Sequence, residues 1–163
     1  MAKVLLISQK DIKVNTILDG NVDSAKFLQF VGIAQDTYLQ NYLGTDLYTK
    51  MITDYASVTG KYLELLNLIK PVLIHWAMVQ YLPFAPYQIA NGGVFKHSPE
   101  NSEVPSKDEV ESLVDAERNI AQFYSQRMID FLCENSSTIS EYKSNSGSDM
   151  KPDEDAYFTG WVM

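Results

Sequence analysis

Two histidines, one cysteine and a surplus of carboxylates are the side chains that could do chemistry in this chain. A thiolate beside an imidazole is the minimal covalent nucleophile, so Cys133 with His75 is the first pair to weigh. His75 lies in the apolar run Leu73-Ile74-His75-Trp76-Ala77, where a hydrogen-bonded core or interface histidine is the expected use. Cys133 falls near a helix C-terminus, where the dipole disfavours a thiolate, and nothing around it has a reactive-thiol signature. His97 follows Lys96 in a loop and reads as a solvated residue. One Cys and two His cannot make a four-ligand zinc site without carboxylates, and no ligand spacing suggests one. The acidic group Asp149, Asp153, Glu154 and Asp155 lacks the glycine and terminal glutamate of an EF-hand loop, so solvation is its expected role. Asn91-Gly92-Gly93 is the only glycine-rich loop, and without the further Gly, Lys and Ser/Thr of a phosphate cradle it reads as a turn. No catalytic residue, cofactor or metal is expected.

Composition narrows the classes further. With 163 residues, 45% of them hydrophobic, one domain with a real core is expected. The formal charge of −8 argues against gripping phosphate backbones, although an acidic wall suits a conduit through which DNA slides. A single cysteine excludes an internal disulfide framework and points to a reducing compartment. Met1-Ala2-Lys3-Val4-Leu5-Leu6-Ile7 is basic and apolar, but the run stops at Ser8, too short for the apolar region of a signal peptide, so none is expected. No apolar stretch is read as reaching the roughly 20 residues of a membrane span, so a soluble chain is expected.

These residues need elements to hold them, and the pattern is helical. Val4 to Ile7 reads as a strand or an extended arm. Asp23 is a plausible N-cap for a helix over 23–43, with Phe27, Val31, Ala34 and Tyr38 on one stripe and Phe30 and Ile33 beside it. Gly44 stops that helix, and Thr45 is expected to cap the next, which carries Leu47, Met51, Ile52 and Tyr55. A third segment over 61–82 is apolar on all sides, and Pro71 is expected to kink or break it. Pro83 and Pro86 end it. Ile89 to Phe95 reads as a hairpin or sharp loop with positive φ near Gly92. Ser106-Lys107-Asp108-Glu109 matches a capping box opening the longest helix, over 106–135. On that helix Val110, Leu113, Val114, Ile120, Ala121, Tyr124, Met128 and Phe131 are taken as one face, opposite Glu111, Asp115, Arg118, Gln122 and Gln126. Ten tyrosines are many for this length, and Tyr38, Tyr42, Tyr48, Tyr55 and Tyr62 gather around the first corner, as core residues with hydroxyls at the rim or as interface residues.

The expected architecture is mainly α: a small helical bundle over 23–135 with a short hairpin-like insertion, an extended N-terminal arm over 1–22 and an extended C-terminal tail over 136–163. Residues 136–155 look nearly devoid of core material, a polar leash unable to offset its own ordering entropy. It ends in an apolar hook whose Tyr157, Phe158, Trp161, Val162 and Met163 are candidate partner-binding residues. Burying its three large rings yields about 2–3 kcal/mol each, while ordering seven residues costs about 1–2 kcal/mol apiece. A single hook is thus near break-even and gains strength when linked copies act together. The alternative use is folding back on its own bundle as an edge strand or cap.

The stretch Gln35-Asp36-Thr37-Tyr38-Leu39-Gln40-Asn41-Tyr42-Leu43-Gly44-Thr45-Asp46-Leu47-Tyr48 resembles the helix–Gly–helix entry of small head-to-tail connector proteins of tailed bacteriophages. The resemblance extends to Ile89-Ala90-Asn91-Gly92-Gly93-Val94 and the long helix, covering residues 23–142. It is closest to ring or neck proteins of phages infecting gut Bacteroidetes, including the crAss-like group. It implies a structural virion protein of the head–tail neck, made in the bacterial cytoplasm and assembling as a ring, commonly twelve-fold, beneath the portal protein. Such a ring joins capsid to tail, extends the DNA channel without binding DNA specifically, and meets other neck or tail ring proteins; no membrane is involved. Leu43 and Gly44 at the corner and Asn91, Gly92 and Gly93 in the loop are the positions that match as motifs. Two other classes stand beside this reading. One is a soluble helical protein-binding adaptor whose tail is a linear docking motif; the other is a small hydrolase using Cys133 or a carboxylate pair.

Overall fold

The computed structural model describes residues 3–18, 24–96, 100 and 103–157. Asp23 and His97, with Phe158, Trp161, Val162 and Met163 of the hook, lie outside the described residues. The chain is mainly helical, a small bundle interrupted by one two-stranded hairpin. In order it runs through α1 (Gln9–Asn15), α2 (Ser24–Ala34), a π-helical turn (Gln35–Leu39), α3 (Gln40–Leu43), α4 (Thr45–Thr53), α5 (Gly60–Tyr81), β1 (Tyr87–Ala90), β2 (Gly93–Lys96), α6 (Lys107–Glu134) and a 3-10 turn (Ser140–Tyr142).

Helix α5 is the axis. It buries Leu65, Leu66, Ile69, Val72, Leu73, Ile74, Trp76, Ala77, Met78 and Val79, flanked by α6 and α2. Contrary to the expectation from sequence, its 22 residues are long and apolar enough to cross a membrane by length and composition. Its apolar surface is used instead against neighbouring helices. Nor does Pro71 break it: the helix is continuous from Gly60 to Tyr81. The missing N–H deprives one carbonyl, that of Asn67, of its donor. Asn67 is exposed and shares with Pro71 the wall of an open cleft of about 500 Å³, where water can replace that donor.

The amino-terminal segment is not a free arm. Leu6, Ile7 and Ile12 are buried, and Ser8 opens α1 with a reciprocal capping box: the Asp11 amide donates to the Ser8 hydroxyl at 3.3 Å, and the Ser8 amide to the Asp11 carboxylate at 2.9 Å. Ser8-Gln9-Lys10-Asp11 carries that signal in the sequence, directly after the apolar run. The segment over 4–6 is held by Gln35, which the π-helical turn places wholly inside. The Leu6 amide donates to Gln35 Oε1 at 3.1 Å, and Gln35 Nε2 donates to the Val4 carbonyl at 2.9 Å and to Tyr48 Oη at 3.2 Å. One side-chain amide thus does for the arm what a neighbouring strand's peptide group does in a sheet.

Helix α6 begins at the expected capping box, with the Glu109 amide donating to Ser106 Oγ at 3.3 Å and the Ser106 amide to Glu109 Oε2 at 2.7 Å. Its inner face is the expected one in large part, with Val110, Tyr124 and Phe131 packed half-buried against the core, but it leaves out Leu113 and Ile120. Val114, Ala121, Ser125, Met128, Ile129 and Leu132 are buried, whereas Leu113, Ile120 and Phe123 stand exposed. Hydrophobic identity alone could not choose between the two stripes, because both have helical spacing. Ser125 marks the true one. Trp76 Nε1 donates to its hydroxyl at 2.9 Å, that hydroxyl donates to the Ala121 carbonyl at 2.7 Å, and Tyr38 stacks on the Trp76 ring at 3.8 Å.

Candidate functional site

At the helix–Gly–helix corner, segments about a hundred residues apart in sequence meet. Gly44 closes α3 with φ +74, a backbone region open chiefly to glycine. It is also crowded: a Cβ there would lie 2.8 Å from Pro152 Cδ. Thr45 is the first residue of α4 rather than its cap, correcting the sequence expectation. The reason is that residues 136–157 lie across the corner and supply the partners a cap would have supplied. The Thr45 amide donates to the Met150 carbonyl at 3.0 Å, the Met150 amide to Thr45 Oγ1 at 3.2 Å, and the Thr45 hydroxyl to Asp149 at 2.9 Å. The Asp153 amide reaches the Asn41 carbonyl at 2.9 Å.

Asp46, beside it, accepts the Ser144 hydroxyl at 2.6 Å and the Ser146 amide and hydroxyl at 3.0 and 2.9 Å. These bonds, the Ser144 hydroxyl first, hold its carboxyl below the usual range. Further back, Tyr62 donates to Glu141 at 2.5 Å. Burial, then that carboxylate, pushes the Tyr62 hydroxyl up to about 12. For Glu141 burial works upward but is outweighed by the Tyr62 hydroxyl, its own backbone amide and Lys50, so its carboxyl is held low.

The polar leash is therefore a strap, and the expectation that it lacks core material is corrected. Ile139 and Tyr142 are fully buried and Ala156 nearly so. Three apolar anchors spaced along the segment suffice because serine and aspartate side chains satisfy the intervening backbone. Asp153 and Asp155, read as solvated charges, accept the amides of Asp155 and Tyr157 at 3.1 and 2.9 Å and so shape the turns. Tyr157, the one hook residue described, is half exposed.

The hairpin is the opposite case. Ala90 pairs with Gly93 and Ile89 with Val94 across the Asn91–Gly92 turn, and positive φ falls on Gly93 (+130) rather than on Gly92. Register puts Tyr87, Ile89 and Val94 on one face and Ala90 and Phe95 on the other. Every one of these residues is exposed, Ile89 at 73%, Val94 at 65% and Phe95 at 53%. At its base a cleft of about 810 Å³ opens toward the first turns of α6, lined by Pro83, Pro86, Val104, Val110 and Val114 among others. Helix α6 adds an outward apolar stripe of Leu113, Ala116, Ile120 and Phe123. The structure thus does not gather Leu43, Gly44, Asn91, Gly92 and Gly93 into one site: Leu43 is buried in the core, Gly44 meets the strap at Pro152, and the other three turn the hairpin.

The candidate catalytic groups stay apart. His75 Nδ1 is 2.7 Å from Glu117 Oε2, and its ring stacks on Tyr124. Cys133 stands nine residues beyond Tyr124 on α6, about 14 Å along the axis, with its sulfur 3.8 Å from Tyr142 Oη. Among the described residues no three metal-ligating side chains converge. Gln35 and Ser125, which organise the interior, were not singled out from sequence; a buried amide and a buried hydroxyl leave no mark in a one-residue hydropathy reading.

No curated protein and no solved structure matches the chain. Residues 39–151 match a family described as a family of unknown function, DUF6712. That span takes in the corner, α5, the hairpin, α6 and the strap as far as the Thr45–Met150 exchange, and the chain belongs to this family.

Proposed function

We propose that this chain is a structural, non-enzymatic subunit of a virion, a head-to-tail connector that forms a homo-oligomeric ring beneath the portal, joins capsid to tail and extends the DNA channel. The observation that carries the reading is the hairpin, with large apolar side chains exposed on both of its faces. An isolated two-stranded hairpin is marginal in water, and a bare apolar patch of this kind marks an interaction surface. The outward stripe on α6 supplies a second surface, at the spacing with which one helix packs on another. The ring form and the portal rest on the resemblance of the corner, loop and long helix to connector proteins. A net charge of −8 suits a wall past which DNA slides.

The test is light scattering and negative-stain microscopy of the purified chain, alone and mixed with a portal complex. The expected result is a closed ring, formed alone or on the portal, that is lost in an Ile89→Ser/Phe95→Ser variant. A chain that stays monomeric under both conditions overturns the reading.

A further inference from the structure

We propose that the outward stripe of α6 pairs, antiparallel, with the same stripe of a second copy of this chain. Glu109, Leu113, Ala116, Ile120, Phe123 and Arg127 follow one another at alternating steps of four and three residues, and all six are exposed. That is the spacing of a seam by which one helix packs on another. The residues that α6 gives to the bundle, Val114, Ala121, Ser125 and Met128 among them, lie on a different face. From Leu113 to Phe123 the seam carries no charge. A carboxylate stands at one end of it and a guanidinium at the other.

Those two charges choose the partner and its direction. In an antiparallel pair centred level with Arg118, Leu113 meets Phe123 of the second copy, Ala116 meets its Ile120, and Glu109 meets its Arg127. Each contact occurs twice about the two-fold axis. A parallel pair would set Glu109 on Glu109 and Arg127 on Arg127, so like charges oppose it. Both end groups have capacity to spare. Arg127 has no hydrogen bond or ion pair among the described residues. Glu109 uses Oε2 to accept the Ser106 amide at 2.7 Å, which leaves Oε1 for a partner. The charges flanking the seam are already engaged within the chain: Glu117 with His75 at 2.7 Å, Asp130 with Gln126 at 3.0 Å, and Asp115 with Arg118 at 2.6 Å.

The apolar centre of the seam is about 15 Å long at the helical rise. It therefore buries less than the roughly 800 Å² per partner of a standard interface, and the pair is expected to be weak and concentration-dependent. It goes beyond the ring reading and does not rest on it. The pair is closed by its own two-fold and leaves the hairpin uncovered, so the Ile89→Ser/Phe95→Ser chain should lose the ring and keep the pair.

Two measurements on the full chain test the proposal. With Cys133→Ser throughout, a Leu113→Cys chain and a Phe123→Cys chain are oxidised separately and as an equal mixture. The mixture is expected to form disulfide-linked dimers about tenfold faster than either chain alone, because identical positions lie about 15 Å apart along the axis of an antiparallel pair. Equal rates overturn the proposal, and faster linkage of each chain with itself overturns the antiparallel order. Sedimentation gives the second readout. Glu109→Lys and Arg127→Glu should each weaken self-association about fivefold, and an equal mixture of the two should recover the wild-type level, since the mixed pair restores both charge contacts. Recovery also shows that neither chain is merely misfolded. A mixture no better than its components overturns the proposal, as does a wild-type chain that stays monomeric up to about 1 mM.

Discussion

The strap and the hairpin are both short of helix, yet they treat their apolar residues in opposite ways. Along 136–157 the few large apolar groups, Ile139 and Tyr142 above all, go inward, and polar side chains satisfy the backbone between them. In the hairpin the backbone is satisfied by its own ladder, and Tyr87, Ile89, Val94 and Phe95 go outward. A segment whose side chains are enclosed contributes to the stability of this chain. A segment that encloses nothing contributes to what this chain meets. Changes in the strap should therefore unfold the bundle, and changes in the hairpin should leave it folded but alone.

The largest effect should come from Tyr142→Ala. The ring is the largest of the fully enclosed side chains, and its loss leaves a cavity between α4, the end of α6 and the strap. Loss of about 3–5 kcal/mol is expected in urea denaturation. A change as small as that of a surface residue would mean the strap is not part of the cooperative unit.

Gly44→Ala comes next, at about 1–3 kcal/mol. Two causes act on it, the φ of +74 and the clash with Pro152. A Pro152→Ala change in the same chain separates them, since it relieves the contact and leaves the backbone strain. Partial rescue in the double variant is expected. Full additivity would show that the strap yields at no cost and that conformation alone matters.

How much of this was legible in the sequence depends on the range of the signal. Local signals were read well: the Gly44 stop, the Ser106 capping box and the Asn-Gly turn all report geometry set within four residues. Signals that depend on distant partners were not. Tyr142 reads as one apolar residue in a polar run because its pocket is made by α4 and α6, and Thr45 reads as a cap because its true partner is a hundred residues away. The α6 face was ambiguous for the same reason, since nothing local says that Ser125 faces Trp76 and Leu113 faces out. Of the candidate site, the turn of the hairpin was legible, but its lack of cover is a fact about the whole fold.

Acid should loosen the strap. Asp46 and Glu141 have carboxyls held below their ordinary values of 3.8 and 4.5, Asp46 by Ser144 and Ser146 of the strap and Glu141 chiefly by the Tyr62 hydroxyl that the docked strap meets. A carboxylate with a depressed folded-state pKa stabilises above its unfolded value, and that contribution fades as pH falls through the folded one. Stability should thus decline below about pH 4.5, and Asp46→Asn should flatten part of that decline. Amide exchange at Ser146 would report it locally. An acid limb identical in the variant would show that the three bonds to Asp46 are too solvated to matter.

The smallest effect on folding should come from the hairpin, and there the comparison is most exposed to failure. Ile89→Ser and Phe95→Ser remove side chains that touch mostly water, so each should change stability by no more than about 0.5 kcal/mol. If either costs as much as a buried residue, the hairpin packs on the bundle in solution and its faces are not free. If both are neutral, a second measurement decides what the faces are for. Sedimentation of the double variant beside the wild type, over the same concentrations and with the same portal complex, should then show the assembly gone while the thermal midpoint stays put. That pairing of a silent melt with a lost assembly is the signature of residues held outward for a partner, since ordinary surface residues would move neither.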